Sequence, residues 1–234
     1  LSMGPPKTSD VLRECLFRGA DRAILLTDRR AAASDTLATS YILAQAVRTI
    51  GRYDFVFAGR QAIDGDTAQV GPQVAEKLGI PQITYAAKIA SLEDGRIVAE
   101  RALPLGRETV RCTLPCLLTV VGEANRPRPP SVRRAIAHKL AATPLEYASL
   151  LERWPEFETE EALRDYVTER GLAIEMWTAA DIDAEEERLG LAGSPTKVLK
   201  VNYVVLGGRE SKAYRPDEEG VSELIRELVD EYIL

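Results

Sequence analysis

Phe55-Val56-Phe57-Ala58 is a short apolar run, Gly59-Arg60-Gln61-Ala62-Ile63-Asp64-Gly65-Asp66-Thr67-Ala68-Gln69 is a polar loop, and Val70 to Leu78 is an amphipathic segment closed by Gly79-Ile80-Pro81. An apolar run this short, bounded by turn residues, reads as a buried strand, and the segment after the loop has helical spacing. The same unit stands upstream. Ala23-Ile24-Leu25-Leu26 is an apolar run followed by Thr27-Asp28, and a helix is expected from near Asp35 through Leu37, Tyr41 and Ile42 towards Gly51. Before it, Ser9 or Asp10 opens a helix carrying Val11, Leu12, Cys15 and Leu16 on one face, ended by Gly19. Short apolar strands alternating with helices predict an α/β protein whose parallel sheet is covered on both faces. Ligands in such sheets bind beyond the carboxyl ends of the strands, which singles out the loops at 28–39 and 59–71.

From Gln82 the character changes. Ile83 to Ile89 and Ile97 to Ala102 read as a hairpin around Glu93-Asp94-Gly95-Arg96, with further strands at Val110 to Thr113 and Cys116 to Val121. Asn125 to Pro130 reads as an exposed loop, and His138, the single histidine, follows a run of arginines in what reads as a solvated basic loop. Leu145 to Gly171 reads as two amphipathic helices with a break at Trp154-Pro155, and Val221 to Ile233 as a final amphipathic helix. Trp154 and Trp177 are expected in a core or an interface.

The net charge is −6, which argues against a nucleic-acid partner. Leu151 to Gly190 holds 13 acidic and 4 basic residues, so this segment alone is −9 and the remainder is +3. No apolar run is long enough to span a membrane. Cys15, Cys112 and Cys116 form no disulfide framework, and a reducing cytoplasmic setting follows. Cys112-Thr113-Leu114-Pro115-Cys116 lacks the further ligands of a metal centre, and one histidine excludes a multi-histidine site. The chain opens on Leu1-Ser2-Met3-Gly4-Pro5-Pro6, which reads as a strand end entering a turn, so an amino-terminal strand ahead of Leu1 is expected.

Two clusters carry chemistry. In the first, Gly59 and Gly65 are read as permitting backbone angles that let N–H groups converge on an anion, with Thr67 and Gln69 at the helix entrance and Arg60 supplying charge. Its plain alternative is a loop in which Asp64 or Asp66 caps the helix. In the second, Ala31-Ala32-Ala33-Ser34-Asp35-Thr36-Leu37-Ala38-Thr39-Ser40 gathers small residues and hydroxyls at a helix start, and its plain alternative is a well-capped helix. Two such starts at neighbouring strand ends suit a dinucleotide with its diphosphate between them.

The stretch Gly59 to Gly71 closely resembles the signature of electron transfer flavoprotein beta subunits, with Gly79-Ile80-Pro81-Gln82 following at the family's spacing. The likeness extends to Leu1-Ser2-Met3-Gly4-Pro5, to Gly19-Ala20-Asp21 and to Ala192-Gly193-Ser194-Pro195-Thr196. It implies a heterodimer with an alpha subunit, in which the beta subunit carries an adenine nucleotide. In one branch the nucleotide is AMP with a structural role. In the electron-bifurcating branch it is FAD, reduced by NADH, with one electron passed to a low-potential acceptor such as ferredoxin or flavodoxin and the other to the alpha-subunit FAD. Gly65, Thr67 and Ala68 stand where AMP-type members carry Asp, Cys and Asn, and Asp35 to Ser40 looks like the bifurcating branch's diphosphate-binding helix start, so the resemblance favours FAD.

Nucleotide contact carries over to Met3, Asp35, Thr36, Thr39, Gly59, Arg60, Gln61, Ala62, Ile63, Asp64, Gly65, Asp66, Thr67, Gln69 and Val70, and no residue is assigned a catalytic or metal-binding role. The expected architecture is a Rossmann-like nucleotide-binding domain at 1–140 with added β-strands, an acidic helical insertion at 141–191 and a helical carboxyl-terminal arm at 192–234 that contacts the partner subunit. The resemblance further implies a dehydrogenase or quinone reductase as redox partner. A nucleotide-binding regulatory domain is the alternative outside electron transfer.

Overall fold

The computed structural model describes residues 1–197 and 212–230. Strands β1 (Ser2–Met3), β2 (Ile24–Leu26) and β8 (Glu175–Trp177) form a parallel sheet in the order β1-β2-β8. Strands β3 (Phe55–Gly59), β7 (Cys116–Val120), β4 (Gln82–Glu93), β5 (Arg96–Leu103) and β6 (Gly106–Thr113) form a second sheet in the order β3-β7-β4-β5-β6. Its first three strands are parallel and the last two are added antiparallel.

Alternation along single strands sets the layers. On β2, Leu25 faces a cluster with Leu12 and Leu16 of α1 (Ser9–Phe17), and also Leu163 and Val167 of α6 (Glu160–Glu169). Leu26 faces the other way, onto Tyr41, Ile42 and Ala46 of α2 (Thr36–Ile50). On β7, Leu117 meets Ala44 of α2 together with Val74 and Ala75 of α3 (Val70–Leu78), while Cys116 and Leu118 turn to Ile83, Ile97 and Ala99 within the sheet itself. Helix α2 therefore covers both sheets, with Leu43 packed against each cluster.

The helices expected over 145–171 are α5 (Tyr147–Arg153) and α6, separated by the break at Trp154-Pro155. They are tied to α1: Glu146 closes a capping box with Thr143 and also takes the Arg13 guanidinium, whose Nε donates to Ala141 O at 2.7 Å. Leu163 and Val167 are fully buried, each burial contributing about 2 kcal/mol. This segment leads into β8, which sequence reading did not anticipate. Three residues with no alternation pattern give no strand signal by themselves. β8 forms only because β2 offers a free edge. His138 does not lie in an open basic loop but follows the short helix α4 (Val132–Ala137) and is half-buried.

Contacts divide the chain into 1–197 and 198–234. In the second unit, α7 (Glu218–Asp230) starts where the Asp217 carboxylate accepts the Gly220 N–H at 2.8 Å, and Tyr214 Oη donates to Glu227 at 2.6 Å. Val221, Leu224, Ile225 and Val229 stand exposed along it.

The expected parallel sheet is thus present as two sheets, and the edges of β1 and β3 do not pair with each other. Between them lies an apolar groove of about 500 Å³, lined by Leu1, by Phe55 to Gly59, and by Val47 and Val74 of the covering helices.

Two consequences are testable. A Cβ placed on Gly71 would sit 2.6 Å from Thr119 Cγ2, and Thr119 is buried and β-branched, so α3 reaches β7 only through glycine. Gly71→Ala lowers stability by about 1–3 kcal/mol in urea unfolding, and Thr119→Ser in the same chain restores part of it; no recovery would place the strain elsewhere. Asp28 links β2 to β8: its carboxylate takes the Arg30 side chain at 2.7 Å, Arg30 N–H at 2.9 Å and Ala179 N–H at 3.0 Å. The Arg30 guanidinium first, then the backbone donors, hold its carboxyl well below the ordinary value of 3.8. A carboxylate depressed on folding stabilises above its unfolded pKa and loses that contribution as pH falls. Asp28→Ala therefore costs about 2 kcal/mol at neutral pH, with the deficit shrinking as pH drops below about 4; a pH-independent deficit would contradict this.

Candidate functional site

β1 and β2 run parallel, and the segments that follow β2 and β3 lead to helix starts that touch at Thr36 and Gln69. After β2, Asp28 anchors a short turn at Arg29–Ala31, and α2 begins at Thr36. Asp35 is its N-cap, with extended backbone at φ −76° and ψ −172°, and its Oδ1 accepts from Leu37 N–H at 2.9 Å and Ala38 N–H at 3.0 Å. The other carboxylate oxygen takes the Thr196 N–H at 3.0 Å, and Asp35 N–H donates to Ser194 Oγ at 2.8 Å. Desolvation works against the charge of Asp35, but the N–H donors of Ala38, Thr196 and Leu37 outweigh it and hold the carboxyl below its ordinary value. The loop that brings Ser194 in turns at Gly190, at φ +50°, where a Cβ would lie 2.2 Å from the Arg30 carbonyl oxygen. Ser194 Oγ donates back to Gly190 O at 2.6 Å.

After β3, Arg60 N–H is fixed to Val120 O at 3.1 Å, and the loop makes a turn in which Asp66 N–H donates to Ala62 O at 3.0 Å and Gln61 donates to the Asp66 carboxylate. The glycines are not the residues that take unusual angles here. Asp66, at φ +49°, and Ala68, at φ +53°, occupy the left-handed region, whereas Gly59 and Gly65 do not, and a Cβ at either would meet nothing within 4 Å. The expectation for Gly59 and Gly65 is corrected accordingly: Asp tolerates that region through its short polar side chain, and Ala68 is held there at some cost. Nor do Asp64 or Asp66 cap α3. Gln69 is at the N-cap and makes no side-chain cap, so Val70 and Gly71 N–H groups have no intrahelical acceptor, and Pro72 has no N–H to satisfy.

The two starts meet. Thr36 Oγ1 donates to Gln69 Oε1 at 2.9 Å, and one turn on, buried Ser40 lies with Oγ 3.0 Å from Gln73 Oε1. Thr39 sits half-buried in the same first turn of α2. Met3 is at the end of β1, beside a pocket of about 380 Å³ lined by Gly4, Pro5, Leu26 to Arg29, Ala31 and Ala32. Ala62 to Thr67 are exposed, Ile63 completely so, and among the described residues no hydrogen bond joins 62–65 to α2. The structure thus gathers Asp35, Thr36, Gln69 and Val70, sets Met3 at the neighbouring strand end, and leaves the tip of the 59–70 loop open to solvent.

Ser194, Thr196 and Tyr85 were not assigned a role in advance. The first two lie in Ala192 to Thr196, a stretch conspicuous in sequence, but their hydrogen bonds to Asp35 cross some 160 residues and have no local signal. Tyr85 reads as an ordinary strand residue, and only its backbone angle, φ +57°, sets it apart.

Paired helix starts, one without a side-chain cap and one rich in hydroxyls, at the carboxyl ends of parallel strands are the kind of place where anions bind. Known proteins resemble the chain along its whole length. A model of the electron transfer flavoprotein domain matches residues 1–145. The electron transfer flavoprotein subunit beta of Clostridium acetobutylicum is 39% identical over 234 residues, covering all of this chain and 78% of its own. Subunit CarD of the caffeyl-CoA reductase-Etf complex of Acetobacterium woodii is 36% identical over 235 residues, again with 78% of its length matched. Protein FixA of Azorhizobium caulinodans is 43% identical over 208 residues, 86% of this chain and 63% of that protein. With the family model spanning more than half of the sequence and the two sheets and paired helix starts in place, the chain belongs to the electron transfer flavoprotein beta subunit family.

Proposed function

We propose that this chain is the beta subunit of an electron-bifurcating electron transfer flavoprotein, holding FAD with its diphosphate between the first turns of α2 and α3. The observation that carries the reading is the Thr36–Gln69 contact, which brings two helix N-termini to one point. Around that point the residues fit the group: Val70 and Gly71 N–H groups with no acceptor among the described residues, the Thr39 hydroxyl, the Thr36 hydroxyl once it turns from Gln69 to a phosphate oxygen, and backbone opened by Ala31 to Ala33. The sequence supports FAD over AMP through Gly65, Thr67 and Ala68, where a carboxylate is lost, and a relative is named for a reductase-Etf complex. A bound flavin supplies the one- and two-electron chemistry. The chain's own residues bind and orient it and set the local charge, with Asp35 fixing the α2 start and Arg60 offering a cation.

In this reading NADH is the electron donor, and the acceptors are ferredoxin or flavodoxin on one side and the alpha-subunit FAD on the other, with a dehydrogenase or quinone reductase beyond it. An alpha subunit also suits α7, whose Val221, Leu224, Ile225 and Val229 form an apolar stripe of the kind that a partner buries. No helix among the described residues is long and apolar enough to cross a membrane, and the cytoplasm is the proposed location.

Acid extraction of the complex purified with its alpha subunit tests the cofactor. Two FAD per heterodimer are expected. One FAD with one AMP would make this an AMP-binding structural subunit, and neither nucleotide would favour a regulatory domain. Thr36→Val, which removes one hydroxyl donor, weakens nucleotide binding about fivefold; unchanged affinity would take the phosphate away from α2.

A further inference from the structure

Tyr85 occupies the left-handed region at φ +57° inside β4, a costly place for a bulky side chain. Its neighbours over-determine it. Its N–H donates to Thr119 Oγ1 at 3.1 Å, and Thr119 is 2% exposed. On the other side, Arg101 donates to the carbonyl and the hydroxyl of Thr84, each at 2.8 Å, and is itself held by Glu108 at 2.7 Å. Here the pairing of β4 with β7 shifts register between Ile83 and Ala86. An irregularity of this kind re-aims a side chain. The ring of Tyr85 lies under Arg60, whose guanidinium carbon is 5.8 Å from the ring centroid.

Arg60 has no carboxylate in ion-pair range among the described residues, unlike Arg30, which pairs with Asp28 and Glu186. A guanidinium drawn over an aromatic face is steadied there while its N–H edges remain free for an oxyanion. Thr119 adds a second link. The same side chain that accepts from Tyr85 also presses its methyl against Gly71 in the first turn of α3.

We propose that Tyr85 is a positioning residue for the candidate site, its ring holding the uncommitted Arg60 guanidinium as the counter-charge to the nucleotide's diphosphate. The proposal rests on the nucleotide-binding reading above and adds to it a residue from outside both helix starts. Tyr85 acts through Arg60 and not on the nucleotide directly, and its phenolic hydroxyl has no part in the effect.

The test uses the complex with its alpha subunit, depleted of nucleotide and titrated with ADP, which carries the diphosphate, and with adenosine, which does not. Arg60 is exposed, so Arg60→Met probes the contact without threatening the fold. Arg60→Met and Tyr85→Leu are each expected to weaken ADP about fivefold, to flatten its salt dependence, and to leave adenosine unchanged. Tyr85→Phe retains wild-type ADP affinity, and the double variant Arg60→Met, Tyr85→Leu is no weaker than Arg60→Met alone. Additive losses, equal losses for ADP and adenosine, or failure of Tyr85→Phe to match wild type would each overturn the proposal. Failure of the unaltered complex to bind ADP would sink the nucleotide reading itself, whereas tight ADP binding indifferent to Arg60→Met sinks the role of Tyr85 alone.

Discussion

Two helices begin side by side, with the Thr36 hydroxyl donating to Gln69 and Ser40 Oγ 3.0 Å from Gln73 Oε1 one turn on. That contact holds only if α2 and α3 pack closely, and the packing has its own requirements. Ala44 and Ala75 are fully buried between the helices and the sheet, and Gly71 lets α3 settle onto Thr119 of β7. Small residues at these positions bring backbone near backbone, so the N-terminal dipoles of both helices act at one place. Larger residues would separate the helix starts and leave two unrelated caps.

The electrostatics divide labour between the two starts. Helix α2 is already satisfied at its N-terminus by Asp35, whose charge is itself fixed by Thr196 N–H and by its place beside Ser194. It brings hydroxyls and rigidity. Helix α3 has no side-chain cap and brings N–H groups that have no acceptor among the described residues. An anion between them gains donors from both without having to displace a carboxylate from α3. At the start of the loop stands Arg60, over the ring of a tyrosine whose strained backbone, worth about 1–3 kcal/mol, is held by buried Thr119.

Much of this was legible in the residues. The alternation of apolar runs and helices predicted β2, α2, β3 and α3, and Asp35 was recognisable as a cap from its place before Thr36. The hairpin of β4 and β5 followed from Asp94-Gly95, both of which take positive φ. What escaped has a common cause, which is dependence on distant partners. β8 is a strand only because β2 lies beside it, and the Ser194–Asp35 bond is made between residues far apart in sequence. The backbone angles of Asp66, Ala68 and Tyr85 also escaped, because residue type alone points to glycine for such angles and here glycine does not take them. The division into two sheets could not be read from strand patterns, since each strand looks equally buried whichever neighbour it has.

The central claim is that the first turns of α2 and α3 together hold the diphosphate of an adenine nucleotide. A structure of the heterodimer with its native nucleotide tests it most directly. Phosphate oxygens within hydrogen-bond distance of Thr36 Oγ1 and of the Val70 or Gly71 N–H are the predicted result. Phosphates bound elsewhere, with the Thr36–Gln69 bond unaltered and nothing against the start of α3, would contradict it.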